Sequence, residues 1–216
     1  MYSLNEPAKK SPVTRNLFFA TTLLILILNF AIFAAYGNQT PDFASKVPWD
    51  SFSVTNLFHA LVNTFTHSNL QHVLLNMLCF AIAGSYLERK MGSLRFLLFM
   101  TIVCFFTAFA SCTNSGLYWH GFSGANYGLY GYILLEYVFT LARKKTRTPF
   151  NIAYGAILIG LIYLAMCFCG GTSAIRFEWY PYDLLHNLGH ASGFAVGLLL
   201  GICLPPSFLL IEKEVS

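Results

Sequence analysis

"HNLGHASGFAVGLLLG", residues 186–201, decides how the rest of the chain is read. Gly189, Gly193, Gly197 and Gly201 recur every four residues, with His190 beside the first of them. On a helix that spacing forms a small-residue stripe, which lets a neighbouring helix approach to backbone contact. The residues around the stripe are apolar, so His190 is an ionisable group set into a hydrophobic helix. Such residues are costly at membrane depth and are functional candidates for that reason.

The composition points the same way. The chain is 56% hydrophobic and only 10% charged, too apolar for a domain with a fully solvated surface. A bilayer core takes about 20 mostly apolar residues per helix. Six runs meet that need, at 17–36, 69–87, 94–112, 123–142, 151–169 and 187–205. The first is long and has no small-residue cleavage site before the following loop, so it reads as a retained span and not as a signal peptide. The expected architecture is an all-α polytopic membrane protein with six transmembrane helices. A membrane domain over 17–205 would be flanked by cytoplasmic tails at 1–16 and 206–216.

Orientation follows from the basic residues. Lys9, Lys10, Arg15, Arg89, Lys90, Arg95, Arg143, Lys144, Lys145, Arg147 and Lys213 fall on one side of this map, and only Lys46 and Arg176 on the other. The positive-inside rule then places both termini in the cytoplasm. The net charge of +4 reports this sidedness and implies no nucleic-acid partner. The six cysteines lie in or beside apolar runs, with no spacing that suggests a zinc site, and read as small core residues, with a disulfide left open among Cys112, Cys167 and Cys169 near the outer span ends.

All six histidines fall in outer loops or at the outer ends of runs. The fourth run opens with "GFSGANYGLYG", residues 121–131, in which Gly124, Gly128 and Gly131 form a second small face directly after Ser123. Two glycine-faced helices entering from the same side would bring Ser123 and His190 together. Taken alone, the stripes serve packing, and His190 is a hydrogen-bonded polar residue. Together they offer a serine with a neutral imidazole in reach, the arrangement that turns a hydroxyl into a nucleophile. No Asp or Glu lies near either residue within its run, so packing and a ring such as that of Tyr127 would have to hold the imidazole. In the second run, "THSNLQHVLLNM", His72 and Asn76 are four apart and share a helix face. With the backbone N–H of Ser123 they are candidate donors to a developing oxyanion. By themselves they are an interhelical hydrogen-bond pair. A third reading takes the histidines as metal ligands of a zinc or copper transporter, although Asp183 and Glu178 are the only outer acids near them.

Four segments in this order, "HSNLQHVLLNM", "ERKMGS", "GFSGANYGLYGY" and "GHASGFAVG", resemble the rhomboid family of intramembrane serine proteases over nearly the whole chain. The resemblance implies a rhomboid-like bundle in a bacterial inner membrane that cleaves single-span membrane proteins near their outer ends. It also implies Ser123 as nucleophile, His190 as general base and acid, and His72, Asn76 and Ser123 as the oxyanion hole. Gly121 would shape the loop before the serine, Tyr127 would pack on His190, and Gly193 would support the helix crossing. Glu88 and Arg89 would belong to a structural polar network at the cytoplasmic end of the second run. No cofactor and no metal is expected. The alternative within this likeness is an inactive rhomboid-like protein that binds transmembrane helices without cutting them. Many members carry a Trp-Arg pair in a long first outer loop, whereas residues 37–56 are short and hold only "PWD". The segment 175–187 is the expected cap over the site, and His186 is the competitor of His190 for the role of base.

Overall fold

The computed structural model describes residues 19–37, 53–112, 120–142 and 188–203, together with part of the stretch 148–160. Among the described residues every regular element is helical. In chain order these are α1 (Ala20–Tyr36), α2 (Val54–Asn63), α3 (Leu70–Met91), α4 (Ser93–Cys112), α5 (Ser123–Ala142) and α6 (Leu188–Cys203). Further helical positions fall between residues 149 and 160. The expected cap at 175–187, the "PWD" stretch, His186, Cys167 and Cys169 lie outside the described residues.

Among the described residues, two helices are long and apolar enough to cross a membrane by length and composition, Leu70–Met91 with mean hydropathy 1.4 and Ser93–Ser111 with 2.0. α1 and α6 are apolar but have 17 and 16 residues. The bundle turns large apolar side chains outward on each of these helices: Leu23, Leu24 and Ile27 on α1, Leu74 and Leu78 on α3, Leu97 and Leu98 on α4, Leu199 and Ile202 on α6. An apolar exterior of that extent is characteristic of a surface that meets lipid or protein.

α5 and α6 form the central pair, with α4 against both and α3 against α5. The two glycine stripes explain how closely they approach. A methyl group on Gly193 would collide with the carbonyl oxygen of Gly124, one on Gly197 with that of Gly128, and one on Gly131 with that of Phe194. The backbones are in contact along more than two turns, a packing open only to residues without a β-carbon. An aromatic column fills the space between α3, α4 and α5. Phe96 and Phe99 stack at 6.3 Å, Phe99 meets Tyr132 edge-on at 5.5 Å, and Phe80 meets Phe122 edge-on at 5.0 Å. All five rings are buried, so Phe122 anchors the loop before α5 in the core.

Buried polar groups fix the end of the bundle remote from Ser123. Glu88 is fully buried and accepts from the N–H groups of Thr21 (2.9 Å) and Thr22 (2.8 Å) and from the Thr22 hydroxyl (2.6 Å). The first N–H groups of a helix have no intrahelical partner and carry its positive end, so a carboxylate there satisfies both deficits. Glu88 thus caps α1 from α3, while the Arg89 guanidinium lies 5.6 Å over the Phe19 ring. This is the local form of the polar network implied for these two residues. Glu136 on α5 is buried and faces α3, where it pairs with Lys90 and accepts from the Tyr86 hydroxyl at 3.0 Å. It is a packing element and does not reach His190.

Candidate active site

α5 begins at Ser123 and α6 at Leu188, so Ser123 and His190 both lie in the first turn of their helices. The glycine crossing holds these two turns together. His190 Nε2 lies 2.8 Å from Ser123 Oγ, within hydrogen-bond reach. His190 is buried, and its ring stacks on that of Tyr127, with centroids 4.3 Å apart and planes 12° from parallel. Tyr127 is itself buried, four residues beyond Ser123 on the same helix. The acids among the described residues are Glu88 and Glu136, each engaged elsewhere, so among those residues stacking orients the imidazole in place of a carboxylate.

The loop ahead of Ser123 is pinned at two points. Gly121 N–H donates to the Asn63 carbonyl at the end of α2 (3.0 Å), and Phe122 N–H donates to His67 Nε2 (3.4 Å). His67 therefore accepts at Nε2, which requires its unprotonated form. Burial, reinforced by the neighbouring imidazoles of His72 and His120, pushes the His67 pKa down to about 3. Burial also lowers that of His120. Gly121 has φ of +113°, in the left-handed region, and a β-carbon there would sit 2.7 Å from His72 Cε1 and 2.9 Å from Nε2. Glycine is required at this position both by backbone conformation and by the approach of the His72 ring.

His72 and Asn76 stand on the α3 face turned to this loop. Asn69 caps α3 by accepting from His72 N–H at 2.8 Å, which fixes the first turn. The His72 Nδ1 lies 3.1 Å from the Ser68 hydroxyl. Where that hydroxyl donates, Nε2 carries the ring proton and points to the Gly121 loop. Asn76 is fully buried, and its Nδ2 donates to the His72 carbonyl at 3.1 Å and lies 3.7 Å from the β position of Gly121. The N–H of Ser123 belongs to the first turn of α5, whose N–H groups have no partner within the helix. Beside the serine opens a small cleft of about 30 Å³, lined by Asn63, Thr64, Thr107, His120, Ser123 and His190 among others.

A family model described as the Rhomboid domain matches residues 54–207. The chain belongs to the rhomboid family. It is therefore a member of a family of intramembrane proteases, integral to the membrane. Curated relatives are rhomboid protease GlpG of Salmonella newport and of Salmonella heidelberg, each 23% identical over 178 residues, and that of Salmonella paratyphi A at 22%. The matched region covers 82% of this chain and 59% of each relative, so the chain spans about three-fifths of their length.

Within this rhomboid chain the structure brings Ser123, His190, Tyr127, Gly121, His72 and Asn76 to one end of the bundle, with Gly193 at the crossing that holds them. Three contributors escape a reading of the sequence. α2 is a short amphipathic helix in what the apolar runs leave as loop; its start signal was Ser53, which accepts from Asn56 N–H at 3.0 Å. His67 precedes a span and gives no sign that it holds a backbone N–H 55 residues away. Asn126, in the middle of the glycine face, has a buried amide that donates to Asn76.

Proposed function

We propose that this chain is an intramembrane serine endopeptidase that cleaves transmembrane segments of membrane proteins through a Ser123–His190 dyad. The observation that carries the reading is the 2.8 Å approach of Ser123 Oγ to His190 Nε2 in a part-buried site, with the imidazole held by Tyr127. The lipid-facing architecture is six spans with both termini cytoplasmic, in a bacterial inner membrane, which sets the dyad toward the outer face. The sidedness of the lysines and arginines supports that orientation.

In this mechanism Ser123 Oγ attacks the scissile carbonyl and His190 Nε2 takes its proton. Charge gathers on the carbonyl oxygen, where His72 Nε2–H, Asn76 Nδ2 and the Ser123 N–H act as donors. Collapse breaks the C–N bond, and the imidazolium returns its proton to the leaving amine. Water then attacks the acyl ester with His190 again as base, restoring the serine and releasing the carboxylate. The cleft beside Ser123 gives that water a place to approach from. A transmembrane substrate must unwind locally, because a helical peptide bond is internally hydrogen-bonded. Single-span proteins with small or helix-breaking residues near the bond fit best.

Reconstitution tests this. Purified protein in proteoliposomes with a single-span substrate is expected to yield two fragments, and Ser123→Ala none. Binding of the intact span without cleavage by the unaltered protein would favour an inactive helix-binding rhomboid.

A further inference from the structure

An amide in an apolar helix crossing needs a reason, because burying one costs free energy that its hydrogen bonds must offset. Asn126 is almost fully buried on α5, three residues beyond Ser123. Its Nδ2 donates to two atoms of a single residue on α3, the main-chain carbonyl of Asn76 at 3.0 Å and the side-chain Oδ1 of Asn76 at 3.2 Å. A bond that merely joined the helices would need only the first. The second fixes how the Asn76 carboxamide is turned.

The orientation is over-determined, because each amide is referred to a backbone carbonyl that can only accept. The Asn76 main-chain oxygen demands nitrogen from Asn126, so the group Asn126 presents to the Asn76 side chain is a donor, and the atom facing it must be Oδ1. The His72 carbonyl demands nitrogen from the other end of the same carboxamide, Nδ2. One Nδ2 hydrogen is used there, and the same nitrogen lies 3.7 Å from the β position of Gly121, beside the loop that carries Ser123. Turning the carboxamide over would set Oδ1 against the His72 carbonyl and present an oxygen where charge develops. We infer that Asn126 is a positioning residue that locks the Asn76 carboxamide with its N–H group toward the oxyanion, through its paired contacts to Asn76 O and Oδ1. The inference rests on the acyl-transfer reading above and adds a residue to it.

Turnover of a fluorogenic single-span substrate in detergent tests it, with Asn126→Leu made alone and on an Asn76→Ala background, and melting temperature measured for each. Losing an oxyanion donor outright lowers kcat by about 10² to 10³-fold, and loosening one is expected to cost about tenfold with KM within about twofold. On the Asn76→Ala background the same change should cost less than about twofold, because the group being positioned is gone. Asn126→Ala, measured the same way, keeps the test decisive if the leucine variant does not fold. An equal loss on both backgrounds, or an unchanged kcat, would overturn the inference and leave Asn126 as a packing residue. A wild-type protein that turns over no substrate would overturn it together with the proteolytic reading, an outcome distinct from additivity in an active enzyme.

Discussion

The ring of Tyr127 lies 4.3 Å from that of His190, with the planes 12° from parallel. A histidine that must take and return a proton has to keep Nε2 aimed at one oxygen, and here a flat neighbour restricts the ring. The stack and the 2.8 Å contact to Ser123 belong to the same two helical turns, so whatever fixes the crossing fixes the dyad.

The ring of Tyr127 is the part that matters for this role. Tyr127→Phe keeps it and is expected to retain kcat within about twofold, whereas Tyr127→Leu should lose about tenfold, the scale of one aromatic contact. Steady-state cleavage of a single-span substrate checks both.

The glycine crossing makes a sharper expectation. Gly193→Ala places a methyl group against the Gly124 carbonyl, while among the described residues nothing lies within 4 Å of the β position of Gly160. Overpacking of this kind costs about 1–3 kcal/mol, so Gly193→Ala should lower the thermal midpoint in detergent and depress turnover together. Gly160→Ala should change neither.

Glu88 acts at the far end, as a cap. Glu88→Ala leaves two backbone N–H groups and a hydroxyl of α1 without their acceptor, each worth about 1–3 kcal/mol when buried. The expected result is a large drop in melting temperature, with Ser123 still labelled by a fluorophosphonate in whatever protein remains folded below the transition.

Acid should destabilise the protein through His67. Its folded-state pKa of about 3 lies below the ordinary 6.5, so the folded state holds the ring neutral. Above pH 6.5 both states are neutral and the group contributes no pH dependence. As pH falls below 6.5 the unfolded chain takes up a proton that the folded chain refuses, and stability is lost progressively down to about pH 3. Melting temperatures from pH 7 to pH 4 should therefore decline, and less steeply in His67→Gln, whose side-chain oxygen still accepts from Phe122 N–H.

The parts legible in the sequence are those that repeat or that combine rare residue types. Gly189, Gly193, Gly197 and Gly201 announce a close crossing at a fixed period, and a serine and a histidine at the heads of two such faces announce what the crossing brings together. The all-helical character follows from composition and run length. Single contacts between distant residues carry no such period. Asn126 is one polar residue in a glycine face, and only the α3–α5 packing shows that its amide meets both oxygens of Asn76. The partners of Glu136 likewise emerge only from the packing that sets Lys90 and Tyr86 beside it. α2 leaves no such mark, because its ten residues are shorter than the apolar runs that announce the spans.

The most direct measurement is fluorophosphonate labelling of the purified protein, with the modified residue mapped by mass spectrometry. A Ser123–His190 dyad gives one adduct, on Ser123, absent in Ser123→Ala, lost in His190→Ala and retained in His186→Ala. An unlabelled wild-type protein beside a labelled control protease, or an adduct on another residue that survives Ser123→Ala, would contradict it.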